Sequence, residues 1–351
     1  MKAKAEPSSS LALVPLRWVV GWLFFSALWR RTVLSPSKLD VWAPGSLAEK
    51  TNHFLPHALD PGQMLEWTLR HPELLQVLLV VVTVLEGVAG LLLLLGLASR
   101  FAGALVTVLS GAILLSAGWL GTTCLDEWQI GVLGIAGGLA IAIAGAGSLS
   151  LDARWARRPG AESSRAFRLL AGGELPRALV FGGAVATLAL TLATNQIFHG
   201  GLWGELHNLS AKPHVEIFTA AREGDSVHVD LMRDEGPDTH GAFVIAAEYL
   251  DADGEVVERL EPELLSSLPR RAIANRYIAQ VQTGPHGLVL PLGARASVVL
   301  PVSAPNAACL RLVEVSGRQW TAPLSAATNA SRALPGVEPQ RGLARCQTRP
   351  S

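Results

Sequence analysis

The chain has 351 residues, of which 50% are hydrophobic and 17% charged, and 29 Lys+Arg balance 29 Asp+Glu for a formal net charge of +0. That length holds a membrane bundle plus one soluble domain. The balanced charge argues against a dedicated nucleic-acid surface.

A membrane span needs about 20 apolar residues. Five segments meet or approach that: residues 11–29, 74–97, 101–120, 129–147 and 178–198. The second is interrupted only by Gln76, Thr83 and Glu86, and the third and fourth carry no charge. Amides inside lipid must bond within their own segment, so these spans are predicted helices. Lys2 and Lys4 precede the first span, no small-residue cleavage site is evident, and Arg17 interrupts the apolar run. The first span is therefore read as retained rather than as a removed signal peptide.

Arg154, Arg157, Arg158, Arg165, Arg168 and Arg177 lie in one loop beside a span, which predicts that loop to be cytoplasmic. Counting outward puts the N-terminus and the Arg100 turn on the same side. The 35–72 loop, the 121–128 loop and everything after residue 199 then lie outside. Arg30 and Arg31 run against this rule at the outer end of span one, which points to a functional reason for the pair. Trp29, Trp119 and Trp128 fall at outer span ends, as an aromatic belt does.

From about residue 213 the apolar period changes to alternation. HVEIFTA, DSVHVDLM, GAFVIAAEYL, GLVLPLGARASVVLP and CLRLVEVSG read as strands, with DADG (251–254) and SGR (316–318) as hairpin turns. Residues 262–278 read as a short helix. The predicted fold is a membrane α-helical bundle of four spans plus a fifth, followed by a small extracytoplasmic antiparallel β-sandwich. The boundaries are a four-span membrane domain at 1–152, a basic cytoplasmic loop at 153–177, a fifth transmembrane helix at 178–198, a β domain at 199–325 and a disordered tail at 326–351.

The candidate chemistry centres on GTTCLDEWQIG, residues 121–131, at the mouth of the fourth span. Polar groups at a bilayer boundary are costly unless paired or used. Two-electron chemistry with a lipid-soluble acceptor fits such a place. Cys124 lies near a helix N-terminus, which lowers a thiol pKa and attracts anions. Thr123 and Asp126 have capping-box spacing, a purely structural alternative for Asp126. Asp126 and Glu127 oppose a thiolate and a dianion unless Arg30, Arg31, Lys38 and Lys50 neutralise them. Trp128 and Trp119 are candidate stacking partners for a quinone ring. Glu86, deep in span two, is either a proton relay to a reduced quinone or a structural partner of Arg17 or another inward-facing base. Gly87 and Gly90, like Gly131, Gly134 and Gly138, read as helix-packing seams.

Cys124, Cys309 and Cys346 are the only cysteines, all on the predicted oxidising side, where a disulfide is chemically permitted. The odd count leaves at least one thiol free or paired to another chain. The chain has no CxxC, no CxxCH and no GxGxxG, so no tightly bound redox cofactor and no metal site is expected. The proline in His53-Phe-Leu-Pro-His57 disfavours a regular helix there.

NHFLPHAL (52–59), HPELLQVLLVVVTVLEGVAGLLLLLG (71–96) and GWLGTTCLDEWQIG (118–131) resemble DoxD, the large subunit of thiosulfate:quinone oxidoreductase, within a wider DoxX-like group of four-helix bundles. HGGLWGELHN (199–208), KPHVEI (212–217) and GLVLPLGA (287–294) resemble DoxA, the small subunit. The chain thus looks like a DoxD–DoxA fusion. The resemblance implies membrane-bound oxidation of thiosulfate to tetrathionate, with a diffusible quinone as acceptor. The resemblance carries over no catalytic residue; on the reading of the residues above, Cys124, Glu86, Asp126 and Glu127 are the candidate catalytic groups. Arg30, Arg31, Arg17, His53 and His57 are the candidate thiosulfate ligands. The expected partners are thiosulfate, the quinone pool and the lipid bilayer of the inner membrane, with a homo-oligomer or a respiratory-chain partner left open. The rival readings are a non-catalytic DoxX-like redox or assembly component and a small-anion transporter.

Overall fold

The computed structural model of the chain describes residues 11–59, 62–117, 127–172, 175–198, 200, 202–205, 212–236 and 242–326. They divide into a helical unit and, from residue 210 onward, a β unit that also takes in residues 51–56.

In the helical unit, α1 (Val14–Trp29) begins with a proline in its first turn, where a missing N–H leaves no bond unmade. It passes directly into a π-helical turn, Arg30–Leu34. Then follow α2 (Leu47–Phe54), α3 (Gly62–Leu69), α4 (Pro72–Leu95), α5 (Ser99–Ala117), α6 (Glu127–Ala144), the short α7 (Leu151–Ala156) and α8 (Arg165–Leu170), and α9 (Arg177–Phe198). All five predicted spans are therefore helical. Helices α4, α5 and α9 are long and apolar enough to cross a membrane. α1, with 16 residues, and the Gln129–Ala144 part of α6 are shorter. α9 turns Leu179, Phe181 and Leu188 outward, a surface suited to lipid rather than to water.

Glycines set how closely the helices approach. A Cβ on Gly90 of α4 would strike the backbone of Phe25 on α1, and one on Gly87 would strike Leu28. A Cβ on Gly138 of α6 would strike Gly103 and Thr107 of α5. These are the small-residue seams expected from the sequence. Val20, Ala89, Leu93, Ala102, Val106 and Ile141 join α1, α4, α5 and α6 in one buried core.

One end of this bundle is closed by polar bonds. Gly96, at φ 64°, ends α4, and Leu97 N donates back to Leu92 O at 2.9 Å. Buried Asp152 accepts from Ala98 N at 2.8 Å and Ser99 N at 2.9 Å, so it caps α5.

The described residues of the β unit form eleven strands: β1 (His214–Glu223), β2 (Ser226–Glu235), β3 (Ala242–Leu250), β4 (Val256–Leu260), β5 (Ile273–Asn275), β6 (Gln282–Gly284), β7 (Gly287–Leu290), β8 (Arg295–Pro301), β9 (Cys309–Glu314), β10 (Gln319–Pro323) and β11 (Ser325–Ala326). One sheet runs β11-β1-β2-β8-β5, the other β10-β9-β3-β7-β6 with β4 also on β3. All pairs are antiparallel except β1 with β11. Alternation puts Val227, Val229 and Leu231 of β2 into the core with Leu288, Leu290, Leu310 and Leu312 of the other sheet. The expected turns at 251–254 and 316–318 are hairpins β3–β4 and β9–β10. Residues 262–278 are not one helix. Only Pro262–Ser266 is helical (α10), followed by a 3-10 turn at Arg270–Ala272 and then β5. Pro269 has no N–H to continue the helix, and Ile273–Asn275 bond β8 instead.

Buried polar side chains tie the unit together. Tyr249 on β3, fully buried, donates its hydroxyl to Pro301 O of the opposite sheet at 2.9 Å. Arg233 on β2, also fully buried, donates to Leu290 O on β7 at 3.2 Å. Glu248 on β3 pairs with Arg259 on β4 and Arg311 on β9, each at 2.5 Å. Asn52, counted in this unit, accepts from Ala279 N at 2.8 Å and donates to Gly293 O at 2.9 Å. Cys309 is disulfide-bonded.

Tyr249→Phe leaves the Pro301 carbonyl without its inter-sheet donor and is expected to destabilise the β unit by about 1–3 kcal/mol, read from denaturant unfolding. Burial, and next the Asp234 carboxylate, push the Glu235 carboxyl above its ordinary range, against the pull of His214. A raised folded-state value gives stability that is present in acid and lost as pH rises through it. Glu235→Gln should therefore raise Tm more at about pH 7 than at about pH 4. A pH-independent difference would disprove this assignment.

Candidate functional site

The π-helical turn after α1 places the central side chains. Widening by one residue lets Ser35 N bond Arg30 O at 2.8 Å, and such turns recur at functional sites. Arg31 leaves it to reach α4. Its Nη1 donates to Thr83 Oγ1 at 3.1 Å and forms an ion pair with Glu86. Thr83 and Glu86 are i,i+3 neighbours on one face of α4 and are 1% and 7% exposed, so the bundle interior holds this pair. The inward-facing base that meets Glu86 is thus Arg31, not Arg17. Arg30 Nε donates to Ser26 O at 3.2 Å, one turn back on α1.

The loop that follows is fastened to α4 and to itself. Gln76 Nε2 donates to Leu39 O at 2.6 Å, and its Oε1 accepts from Val41 N at 3.2 Å. Ser46 Oγ accepts from Glu49 N at 3.1 Å, while Glu49 Oε2 accepts from Gly45 N at 2.6 Å, an arrangement of the capping-box kind at the start of α2. Lys38 and Lys50 are thereby set opposite the arginines.

Two cavities result, and both are lined by Arg30 and Arg31. One, of about 290 Å³, is completed by Lys38, Gly45, Ser46, Leu47 and Lys50. Four cationic side chains and no carboxylate line it, a lining whose charge suits a small anion. The other, of about 510 Å³, lies between α1, α5 and α6 and is lined by Val20, Phe24, Ala27, Ile113 and Ile130 among others, with Glu86 and Ser110 as further polar groups. Leu23 and Leu133 on its lining are 60% and 70% exposed, so it opens on the lipid-facing side. A mostly apolar cavity with a few convergent polar groups is suited to an amphipathic ring.

The other predicted residues are distributed as follows. Arg17 lies about 20 Å along α1 from Arg31 at 1.5 Å per residue. Its guanidinium donates to Ala146 O at 2.9 Å and Leu149 O at 2.8 Å, close to Asp152, and it lines neither cavity. His53 is on α2, and His57 is in the 3-10 turn Leu55–His57 that ends the helix at the proline. Glu127 and Trp128 open α6, and their side chains lie outside the described residues. Cys124, Asp126 and Trp119 also lie outside them. Among the described residues no group of three or more His, Cys, Asp or Glu has the arrangement of a metal site. Cys309 is disulfide-bonded, and the other two cysteines of the sequence, Cys124 and Cys346, lie outside the described residues. Ser110, and Thr83 as an arginine ligand, went unnoticed in the sequence; their signal was only that of polar residues interrupting apolar helices.

If the Arg31–Glu86 pair is held in the apolar interior, Arg31→Leu and Glu86→Leu should each destabilise the protein in detergent by about 3–5 kcal/mol, and the double change by much less than their sum. Additive losses would mean the two charges are not coupled.

Residues 12–177 match the family described as "TQO small subunit DoxD", and residues 198–323 match that described as "TQO small subunit DoxA". Both descriptions read small subunit, whereas the resemblance drawn from the sequence had made the DoxD-like part the large one. No solved structure matches the chain. The bundle with its two cavities falls within the first match and all but the last strand of the β unit within the second, so one polypeptide carries a DoxD match followed by a DoxA match, the order of a DoxD–DoxA fusion.

Proposed function

We propose that this protein oxidises thiosulfate to tetrathionate and passes the two electrons to a membrane quinone. The observation that carries the reading is the pair of adjoining cavities, one basic and one apolar, with Arg30 and Arg31 on both linings. The DoxD and DoxA families, whose descriptions name TQO, support the same chemistry.

Two thiosulfate dianions and a quinone, with two protons, give tetrathionate and a quinol. Arg30, Arg31, Lys38 and Lys50 offset the repulsion between dianions at the basic cavity, which is the main electrostatic obstacle to joining them. The quinone ring enters the apolar cavity from the lipid side, with a carbonyl towards Arg31. Arg31 stabilises negative charge on that oxygen as electrons arrive, and Glu86 passes a proton to it.

Sulfur–sulfur bond formation has two routes. In the direct route, two thiosulfates couple through their outer sulfurs as two electrons leave for the quinone. In the covalent route, the Cys124 sulfur bonds the outer sulfur of one thiosulfate, losing a proton and two electrons to the quinone. A second thiosulfate then attacks that outer sulfur, forming tetrathionate and releasing the Cys124 thiolate. The covalent route requires that the disulfide of Cys309 be made with Cys346. The disulfide-bonded state of Cys309, together with the arginine-rich loop at 153–177, supports an inner-membrane protein with its N-terminus inside and its β domain outside.

The test is thiosulfate-dependent quinone reduction by the purified protein in detergent, with tetrathionate assayed as product. Lys38→Gln with Lys50→Gln should raise KM for thiosulfate about tenfold or more and leave KM for quinone unchanged. Leu23→Trp, which narrows the apolar cavity, should do the reverse. Glu86→Gln should lower kcat about a hundredfold or more. Full turnover in Cys124→Ser selects the direct route. No quinone reduction by folded protein would overturn the proposal.

A further inference from the structure

A third cavity, of about 460 Å³, lies where α4 ends and α7 begins and is lined by Leu97, Leu151, Arg154, Trp155 and Arg158. It is at the closed end of the bundle, far along α1 from the site above. Neither guanidinium, of Arg154 or of Arg158, carries a hydrogen bond or ion pair to another described residue, and both side chains are exposed. The surrounding segment, residues 149–172, holds five arginines against Asp152 and Glu162. Asp152 is buried and committed to capping α5. Among the described residues the positive charge around the cavity is therefore largely uncompensated.

The apolar half of the lining is equally specific. Leu97 and Leu151 are on the lining, and Trp155 packs edge-on against Phe167 with ring centroids 5.2 Å apart, so α7 and α8 are held together. Leu149 and Leu169, 60% and 72% exposed, turn apolar surface outward beside the arginines. A helical bundle end that combines guanidinium groups, a tryptophan and outward leucines matches the boundary where hydrocarbon gives way to head groups.

We propose that this cavity binds an anionic phospholipid, its phosphate held by Arg154 and Arg158 and the start of an acyl chain lying on Leu97 and Leu151. Guanidinium groups bind phosphate oxygens in a fixed planar geometry, and the leucines supply a surface that a soluble anion does not use. A free phosphate shares only the first of these contacts.

Native mass spectrometry of the full chain in detergent tests this, with phosphatidylglycerol, phosphatidylcholine and inorganic phosphate as probes. The expected result is retention of phosphatidylglycerol over phosphatidylcholine, with no displacement by inorganic phosphate. Arg154→Gln with Arg158→Gln should weaken phosphatidylglycerol binding about thirtyfold, at about 1 kcal/mol per basic residue near a membrane surface. Arg165→Gln, outside the cavity lining, should bind as the parent does. Arg158→Gln alone, past the end of α7, is a milder change that gives the same direction if the double variant loses its fold. Equal retention of both lipids, or unchanged binding in the variants, overturns the proposal. Displacement by inorganic phosphate overturns it in favour of a soluble-phosphate site.

Discussion

The ion pair between Arg31 and Glu86 governs the helical unit. A carboxylate on the inner face of an apolar helix is tolerable only if a base reaches it, and the base must come from a neighbouring helix end because α4 carries none nearby. The π-helical turn at Arg30–Leu34 meets that demand by rotating the chain as α1 ends. The close approach of α1 and α4 over Gly87 and Gly90 then brings Arg31 within reach. Glycine seam, widened turn and ion pair form one arrangement, and each is costly without the others.

The same arrangement places Arg30 and Arg31 between a basic and an apolar cavity. Because the arginines sit at the end of a span, one side of them faces a polar loop fastened by Gln76 and Ser46, and the other faces the apolar interior between α1, α5 and α6. Small anions and membrane-soluble rings have opposite solvation needs, and few places in a protein satisfy both within one side chain's reach. The opposite end of the bundle uses its buried charges differently. There Arg17 and Asp152 satisfy backbone groups of the turns that close the helices, which is a structural task. The β unit is built on a separate principle. Its two sheets share a core of β-branched and leucine side chains, and the buried polar groups Tyr249 and Arg233 bond backbone carbonyls across it.

Much of this was legible in the sequence because the relevant signals are local. Runs of apolar residues gave the five helices, and alternation gave the long strands. DADG and SGR gave their hairpins, and the glycines gave the packing seams. The failure at 262–278 is also local in origin: a helix-like apolar pattern was read through Pro269, and the pairing of Ile273–Asn275 with β8 is a contact between segments about 25 residues apart that no window reveals. The parallel pairing of β11 on β1 joins residues about 100 apart in the same way. Among the site residues, Arg30, Arg31, Lys38 and Lys50 were singled out as charges on one side of the membrane. That they converge on one cavity depended on the loop's hydrogen bonds. Arg17 was grouped with them by charge alone, and its position on α1 places it at the other end.

The sequence by itself determined the class of the protein: helices that lipid can solvate, a following β unit, and a short set of charged residues in places where charge needs a reason. Periodicity and hydropathy suffice for that, because each residue's partition between lipid, core and water is a property of its own side chain and its near neighbours. Only the tertiary structure decided which base meets Glu86, which cations share a cavity, and which buried arginine merely closes the bundle. Those outcomes rest on helix approach distances and on a one-residue widening of a single turn, and they arise from the packing of segments far apart in the chain.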